Sequence, residues 1–384
     1  MPVALPNSTS SPTLVCGDDE FSIKRAAREV FGQWCAETEG ADQEIIDASV
    51  SSSGEALKAL VRLREALQTL PFFGDAKIIW FQNCNFLGDE RAATAQAVTE
   101  GLAQLSQELK HFAWDNVRLL ISAGKVDKRK TFYKTFERIG KIHSFVGWTI
   151  DDRDWQAQAE SWADQELGDR GKKISEEALA EFVLRIGPNA RQLSNEAEKL
   201  VLFVGVRNQI SLGDVNAIVT RNKHARAFSL GDALGVRDLP RVLRTLDEEL
   251  WGLKSDNQRS EIGLLYGLIS KVRVLLLIKE MLHEGWVTAE SDYSRFKTQL
   301  GKLPADLFPA DKRFNPLTMN PYILFKALPQ AACYESDELV RGMEVLLQCN
   351  QDLVLSGLDE ALVLQRALVQ IVNRSGKTSQ SIEG

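Results

Sequence analysis

The first 150 residues alternate short, continuously apolar runs with amphipathic stretches, and few folds accept that pattern. Strand-like runs occur at Thr13-Leu14-Val15-Cys16, 44–48, Ile78-Ile79-Trp80-Phe81, 117–121 and 141–146. Between them, 21–37 and 55–70 read as helices, and 127–139 as a short basic helix. In the second of these, Leu60, Leu63, Leu67 and Leu70 line one face. A strand that is apolar at every position is covered on both faces. Strand–helix alternation then predicts a parallel sheet with helices packed on it.

From about Asp151 the strand signals stop. The periodicity predicts helices at 154–167, 175–186, 190–204 and 211–220, with Pro188-Asn189 and Gly205 as punctuation. The segment 221–226 reads as a basic connector. Further helices are expected at 239–250, 260–283, 337–355 and 359–372, with Gly357 stopping the third of these. The polar tail 373–384 is expected to be disordered. No repeat of solenoid length is evident. The fold class expected is therefore α/β plus all-α.

Several function classes are excluded early. With 384 residues and a formal net charge of −7, the chain is not a polycation that grips nucleic acid over its whole surface. Its five cysteines are odd in number and lack metal-ligand spacing, and four scattered histidines form no HExxH, so no metal is expected. The N-terminus has neither a basic region nor a long apolar core, so it is not read as a signal peptide. The most apolar later stretch, 262–282, carries Lys271, Arg273 and Lys279. Those charges are costly in a bilayer, and the stretch is read as a buried helix with no membrane contact.

A first strand that ends in a glycine turn and enters a helix is where a phosphate loop would sit. Here the turn reads Cys16-Gly17-Asp18-Asp19-Glu20-Phe21. It has one glycine, no lysine and three consecutive carboxylates, which satisfy the helix end and repel a triphosphate. Gly17, Asp18, Asp19 and Glu20 are thus a degenerate nucleotide loop. The Gly376-Lys377-Thr378 triplet lies in the tail with no preceding strand, and Asp89-Glu90 does not directly follow a buried strand. No nucleophile–base arrangement, cofactor site or catalytic residue can be placed.

A set of stretches in order carries a resemblance. They are Gly17-Asp18-Asp19-Glu20-Phe21; Leu70-Pro71-Phe72-Phe73-Gly74; Lys125-Val126-Asp127-Lys128-Arg129-Lys130; the run from Gly187-Pro188-Asn189-Ala190-Arg191 through Leu200; and Ile210-Ser211-Leu212-Gly213-Asp214-Val215. Together they resemble the delta subunit of bacterial DNA polymerase III, from about residue 13 to 372. The resemblance implies an AAA+-like α/β domain at 1–148, a helical lid at 149–222 and a helical collar at 223–372 that joins a ring, followed by the tail 373–384. It implies no bound ATP, which agrees with the acidic turn. The family's delta-prime and ATPase subunits carry a Ser-Arg-Cys motif and a cysteine-rich zinc module. Here the residues before the five cysteines are Val15, Trp34, Asn83, Ala332 and Gln348.

The resemblance also implies a clamp-binding element at Phe72 and Phe73, with Leu70 alongside. Without it, an aromatic pair after a helix is ordinarily core. Pro71 and Gly74 bracket the pair in a turn, which favours exposure. The implied partners are the beta sliding clamp, the ATPase and delta-prime subunits in a hetero-pentamer, and primed DNA through the complex. The implied setting is the bacterial cytoplasm at the nucleoid, within the DNA-directed DNA polymerase holoenzyme. Lys125, Lys128, Arg129 and Lys130 are candidate DNA or phosphate contacts, against the plainer reading of a solvated face. Two rivals stand beside this reading: an AAA+ ATPase with a degenerate loop, and a stand-alone DNA-binding protein.

Overall fold

A computed structural model describes residues 11–69, 71, 76–150, 152, 154–220, 223–253, 260–311 and 314–373. The chain forms two compact units, one of Met1–Asp152 with Pro188–Gln192, the other of Arg153–Gly187 with Leu193–Gly384.

In the first unit the strands are β1 (Thr13–Gly17), β2 (Asp42–Asp47), β3 (Lys77–Cys84), β4 (Val117–Ala123) and β5 (Lys141–Phe145). They make one sheet in the order β2-β3-β4-β1-β5, with every pairing parallel. The helices are α1 (Glu20–Glu37), α2 (Ser53–Gln68), α3 (Gln96–Lys110) and α4 (Thr131–Ile139). On one face α1 buries Ile23, Ala27 and Val30 against Val15, Trp80 and Leu120. On the other, Leu60 and Leu63 of α2, Leu105 of α3 and Phe136 of α4 pack over Leu14, Ile79, Leu119 and Ile121. Burial of each such side chain stabilises the unit by about 1.5–3 kcal/mol. Cover on both faces is why β1, the first five residues of β3 and the end of β4 are buried without polar alternation, whereas the edge strands β2 and β5 carry polar residues.

Two features of this unit depart from expectation. Helix α3 was not read from the sequence. The basic helix expected at 127–139 begins only at Thr131. Residues 125–130 are a loop, held by Asp127 N–H to the Leu87 carbonyl and Lys130 N–H to the Asp127 carbonyl.

The second unit starts with α5 (Trp155–Asp169), β6 (Lys173–Ile174), α6 (Glu176–Ile186), α7 (Ala190–Val204), β7 (Gln209–Ile210) and α8 (Leu212–Ile218). Strands β6 and β7 pair in parallel, a two-residue ladder too short for any periodicity to announce. Then come α9 (Lys223–Gly235), α10 (Leu239–Leu253), α11 (Glu261–His283), α12 (Tyr293–Gly301), α13 (Pro321–Ala331), α14 (Ser336–Leu355) and α15 (Glu360–Val372), with short 3-10 turns at Ala305–Leu307 and Pro316–Thr318. The basic connector expected at 221–226 thus runs into a helix that continues to Gly235. Helix α11 is apolar nearly all round because it sits at the centre: Leu265, Leu268, Val272 and Leu275 are buried among α9, α13, α14 and α15. Tyr322 and Tyr334 are buried.

Ionic contacts thread this helical core. Glu181 of α6 takes Arg185 at 2.7 Å and Lys326 of α13 at 3.3 Å. Asp232 of α9 takes Lys271 of α11 at 3.0 Å and Lys326 at 3.6 Å. Arg237, in the α9–α10 turn at φ 59°, donates to the Val372 carbonyl, the Cys333 carbonyl and both Glu338 oxygens, at 2.7–3.0 Å. Its guanidinium carbon lies 4.6 Å from the centre of the Tyr334 ring. Among the described residues, no helix is long and apolar enough to cross a membrane.

Candidate functional site

Ligands of open parallel sheets bind outside the carboxyl ends of the strands, where the strand order reverses. The first unit has a cleft of about 300 Å3 there. It is lined from the ends of β1 (Gly17, Asp18, Glu20), β3 (Asn83, Cys84, Asn85) and β4 (Ser122 to Lys125).

The floor at β1 is closed to phosphates. Gly17 sits at φ 145°, and a Cβ there would come within 1.8 Å of the Phe145 carbonyl oxygen, so only glycine fits. Its N–H donates to the Gly124 carbonyl at 3.2 Å, and the Asp18 and Asp19 N–H groups both donate to the Phe145 carbonyl. The Asp18 carboxylate accepts from Gly147 N–H at 2.6 Å. Asp19 is the N-cap of α1. Its carboxylate accepts from the N–H groups of Phe21 and Ser22 at 3.2 and 3.3 Å, and from the Ser22 hydroxyl. Glu20 turns outward to Lys24 at 2.5 Å. The amides that would face a phosphate chain are already spent on this chain's own oxygens.

The wall at β3 is neutral. The strand ends in Asn83 and Asn85 where carboxylates would be needed to hold a magnesium ion beside a triphosphate. Asn83, at φ 57°, donates its amide to Asp47 at 3.2 Å. Asn85 pairs with both backbone groups of Val50. The Ser122 hydroxyl accepts from the Trp80 indole at 3.0 Å. These amides were not singled out from the sequence, although they stand two and four residues after the apolar run Ile78–Phe81. Burial pushes the Cys84 thiol up to about 12, so it stays protonated.

The basic segment divides. Lys130 points its ammonium into the carbonyls of Gly88 and Ala93, at 2.5 and 3.3 Å. Arg129 forks onto Asp127, both bonds at 3.0 Å, and holds that carboxyl down at about 2. Lys125 and Lys128 are exposed. The group of four therefore offers fewer uncommitted cations than its sequence suggests.

Leu70, Phe72 and Phe73 lie outside the described residues. The described residues on either side of them are tied together. Thr69 caps α2, and its hydroxyl accepts from Lys77 Nζ at 2.8 Å. The same buried ammonium takes Glu44 of β2 at 2.8 Å, so the start of β3 is tied to both the end of α2 and β2.

A five-stranded parallel sheet in this order, flanked by helices and with its cleft at the reversal of strand order, defines an AAA+-like α/β domain joined to a helical unit. The family it resembles is that of the DNA polymerase III delta subunit. Residues 14–145 match the family model described as DNA polymerase III, delta subunit, and the resemblance read from the sequence is borne out. The chain is 22% identical to the DNA polymerase III subunit delta of Bacillus subtilis over 339 residues, covering 88% of this chain and 87% of that protein. Among solved structures, it is similar to the Bacillus subtilis DNA clamp loader delta protein, with 18% identity, 94% and 96% of the two chains covered and a TM-score of 0.41. It is also similar to domain III of the Thermotoga maritima replication initiation protein DnaA, with 14% identity, 54% and 82% covered and a TM-score of 0.32.

Proposed function

We propose that this chain works as the clamp-loader delta subunit that binds and opens the beta sliding clamp, so that the clamp can be loaded on primed DNA. The observation that carries the reading is the family match over residues 14–145. The geometry of the β1–α1 turn supports it: a nucleotide-type scaffold with its phosphate-side amides consumed has kept a mechanical use for the fold and lost the chemical one.

In this reading Phe72 and Phe73, with Leu70, form a wedge that enters an apolar pocket on the clamp. Each buried ring contributes about 1.5–3 kcal/mol before association costs. A clamp conformation strained at one interface binds the wedge better than the closed ring does, and the population shifts toward opening. The Lys77 tie to Thr69 and Glu44 supports this by fixing the base from which the wedge projects. ATP on neighbouring subunits would control access to the wedge. We propose further that the second unit serves as lid (149–222) and collar (223–372), the collar holding the chain in a ring with the ATPase and delta-prime subunits. The site of action is the bacterial cytoplasm, at the nucleoid.

The test is surface plasmon resonance of the purified chain against the sliding clamp of the same bacterium, as wild type and as Phe72→Ala/Phe73→Ala. Binding that the double substitution weakens at least about a hundredfold, with clamp release from circular DNA that needs no ATP, is the expected result. Wild type that ignores the clamp would sink the reading. A parallel titration with mant-ATP should show no binding, because the Gly17, Asp18, Asp19, Phe21 and Ser22 amides of the β1–α1 turn are already bonded within the chain.

A further inference from the structure

The helices read as lid (α5–α8) meet those read as collar (α9–α15) through packed side chains. Ala180 and Leu184 of α6 form one apolar cluster with Tyr293 of α12 and with Tyr322 and Phe325 of α13. The Tyr293 ring centre is 5.2 Å from that of Tyr322 and 5.4 Å from that of Phe325. At the rim, Lys297 of α12 reaches Glu176 of α6 at 3.5 Å. All these residues belong to the second compact unit. Apolar contact is non-directional and by itself fixes no register.

A chain of charges supplies the register. Arg185 of α6 donates to the Val215, Asn216 and Val219 carbonyls around the end of α8, at 3.2–3.4 Å, and takes Glu181 one turn back. Lys326 of α13 takes Glu181, and it also takes Asp232 of α9. Asp232 in turn takes Lys271 of α11, whose stem runs in the groove left by Gly231 and Gly235. Cation and carboxylate therefore alternate across α8, α6, α13, α9 and α11, and Lys326 is shared by one carboxylate from each part. Burial alone would raise the pKa of Glu181 and of Asp232. Lys326 with Arg185 at the first, and Lys271 with Lys326 at the second, outweigh it, so both are held below the ordinary carboxylate range.

We propose that the lid and collar helices of this chain move as one rigid body, with Lys326 fixing their register. The names of the two parts rest on the proposed function; the coupling does not. A network in which each charge has its partner holds one arrangement, because sliding either part would leave a buried carboxylate bare. The consequence is mechanical. With its phosphate-side amides consumed, the chain has no nucleotide cycle of its own for a separate lid to follow. A displacement that neighbouring subunits impose on the collar then reaches the lid whole, with nothing absorbed between the two.

The experiment is double electron–electron resonance on the full chain, with spin labels at Leu202→Cys of α7 and Leu347→Cys of α14, both more than half exposed. The two partly exposed native thiols, Cys35 and Cys333, are replaced by serine. Chains with Lys326, Lys326→Met and Lys326→Arg are compared. Lys326→Met leaves Arg185 on Glu181 and Lys271 on Asp232, so neither carboxylate is stripped and the fold is kept. One narrow distance is expected with lysine or arginine, and a distribution about twofold broader or more with methionine. The narrow distance should persist when the chain is mixed with the other loader subunits of the same bacterium and ATP. A broad or two-peaked distribution with lysine, or a shift on adding those subunits, would overturn the rigid body. A narrow distribution with methionine would overturn the role of Lys326. Clamp binding on the same samples reads the proposed function separately: a chain that ignores the clamp yet keeps the narrow distance loses that function and keeps the coupling.

Discussion

The β1–α1 turn and the α9–α10 turn solve opposite problems. A helix start has N–H groups in excess, and the first turn answers with acceptors: the Asp19 carboxylate on α1, and carbonyls at the ends of β4 and β5 on the residues before it. A helix end has carbonyls in excess, and the second turn answers with one donor. Arg237 collects the last carbonyl of α15, the carbonyl of Cys333 just past α13, and the Glu338 carboxylate near the start of α14. Both turns need unusual backbone, φ 145° at Gly17 and 59° at Arg237. The difference lies in reach. Asp19 acts on residues two and three positions away, whereas Arg237 acts across 96 to 135 positions. Distributed local caps fail gradually. A single long-range hub fails at once.

That contrast can be broken most sharply at Arg237. The change Arg237→Met keeps the length of the side chain and removes every donor. It should cost about 3–5 kcal/mol, because Glu338 and two carbonyls lose their partner together. Urea unfolding with Tyr334 and the nearby helices as reporters would check it, and a loss below about 1 kcal/mol would show the hub to be dispensable. Acid sharpens the comparison next. The Arg237 guanidinium holds Glu338 well below its ordinary 4.5, at about 2. A carboxyl stabilised as its anion contributes fully above its unfolded pKa and loses that contribution as pH falls through the folded one. Between about pH 4.5 and about pH 2, protection of the amides at the end of α15 relative to their intrinsic exchange should therefore fall, and Arg237→Met should flatten that fall. The smallest effect is expected at Asp19→Ala, about 1 kcal/mol in the first unit by thermal unfolding, since one cap of α1 is lost and the strand-end carbonyls remain.

The same distinction explains what could be read from the sequence. The apolar strands, the glycine turn and the acidic cap are local, and each was legible where it stands. Helix α3 escaped because its start at Ala95 has no side-chain cap to mark it, although Val98, Leu102, Leu105 and Leu109 are spaced as one buried face. Helix α9 was hidden by its basic entry, although Leu230, Ala233 and Leu234 bury like any core face. The engagement of Lys130 by the Gly88 and Ala93 carbonyls is a tertiary fact with no local signature. The Phe72-Phe73 reading was legible only through resemblance, because a bracketed aromatic pair says nothing of what it enters. Arg237 carries no local signal of bonds that reach Val372, Cys333 and Glu338.

The bond from Arg237 to the Val372 carbonyl also marks a limit for anyone engineering this chain. Cutting before Ile371 removes the acceptor and the buried Ile371 and Val372 side chains with it. A tag or fluorophore joined after Asn373, beyond that anchored peptide, leaves both in place, so the C-terminal side offers a labelling handle that does not tax the fold.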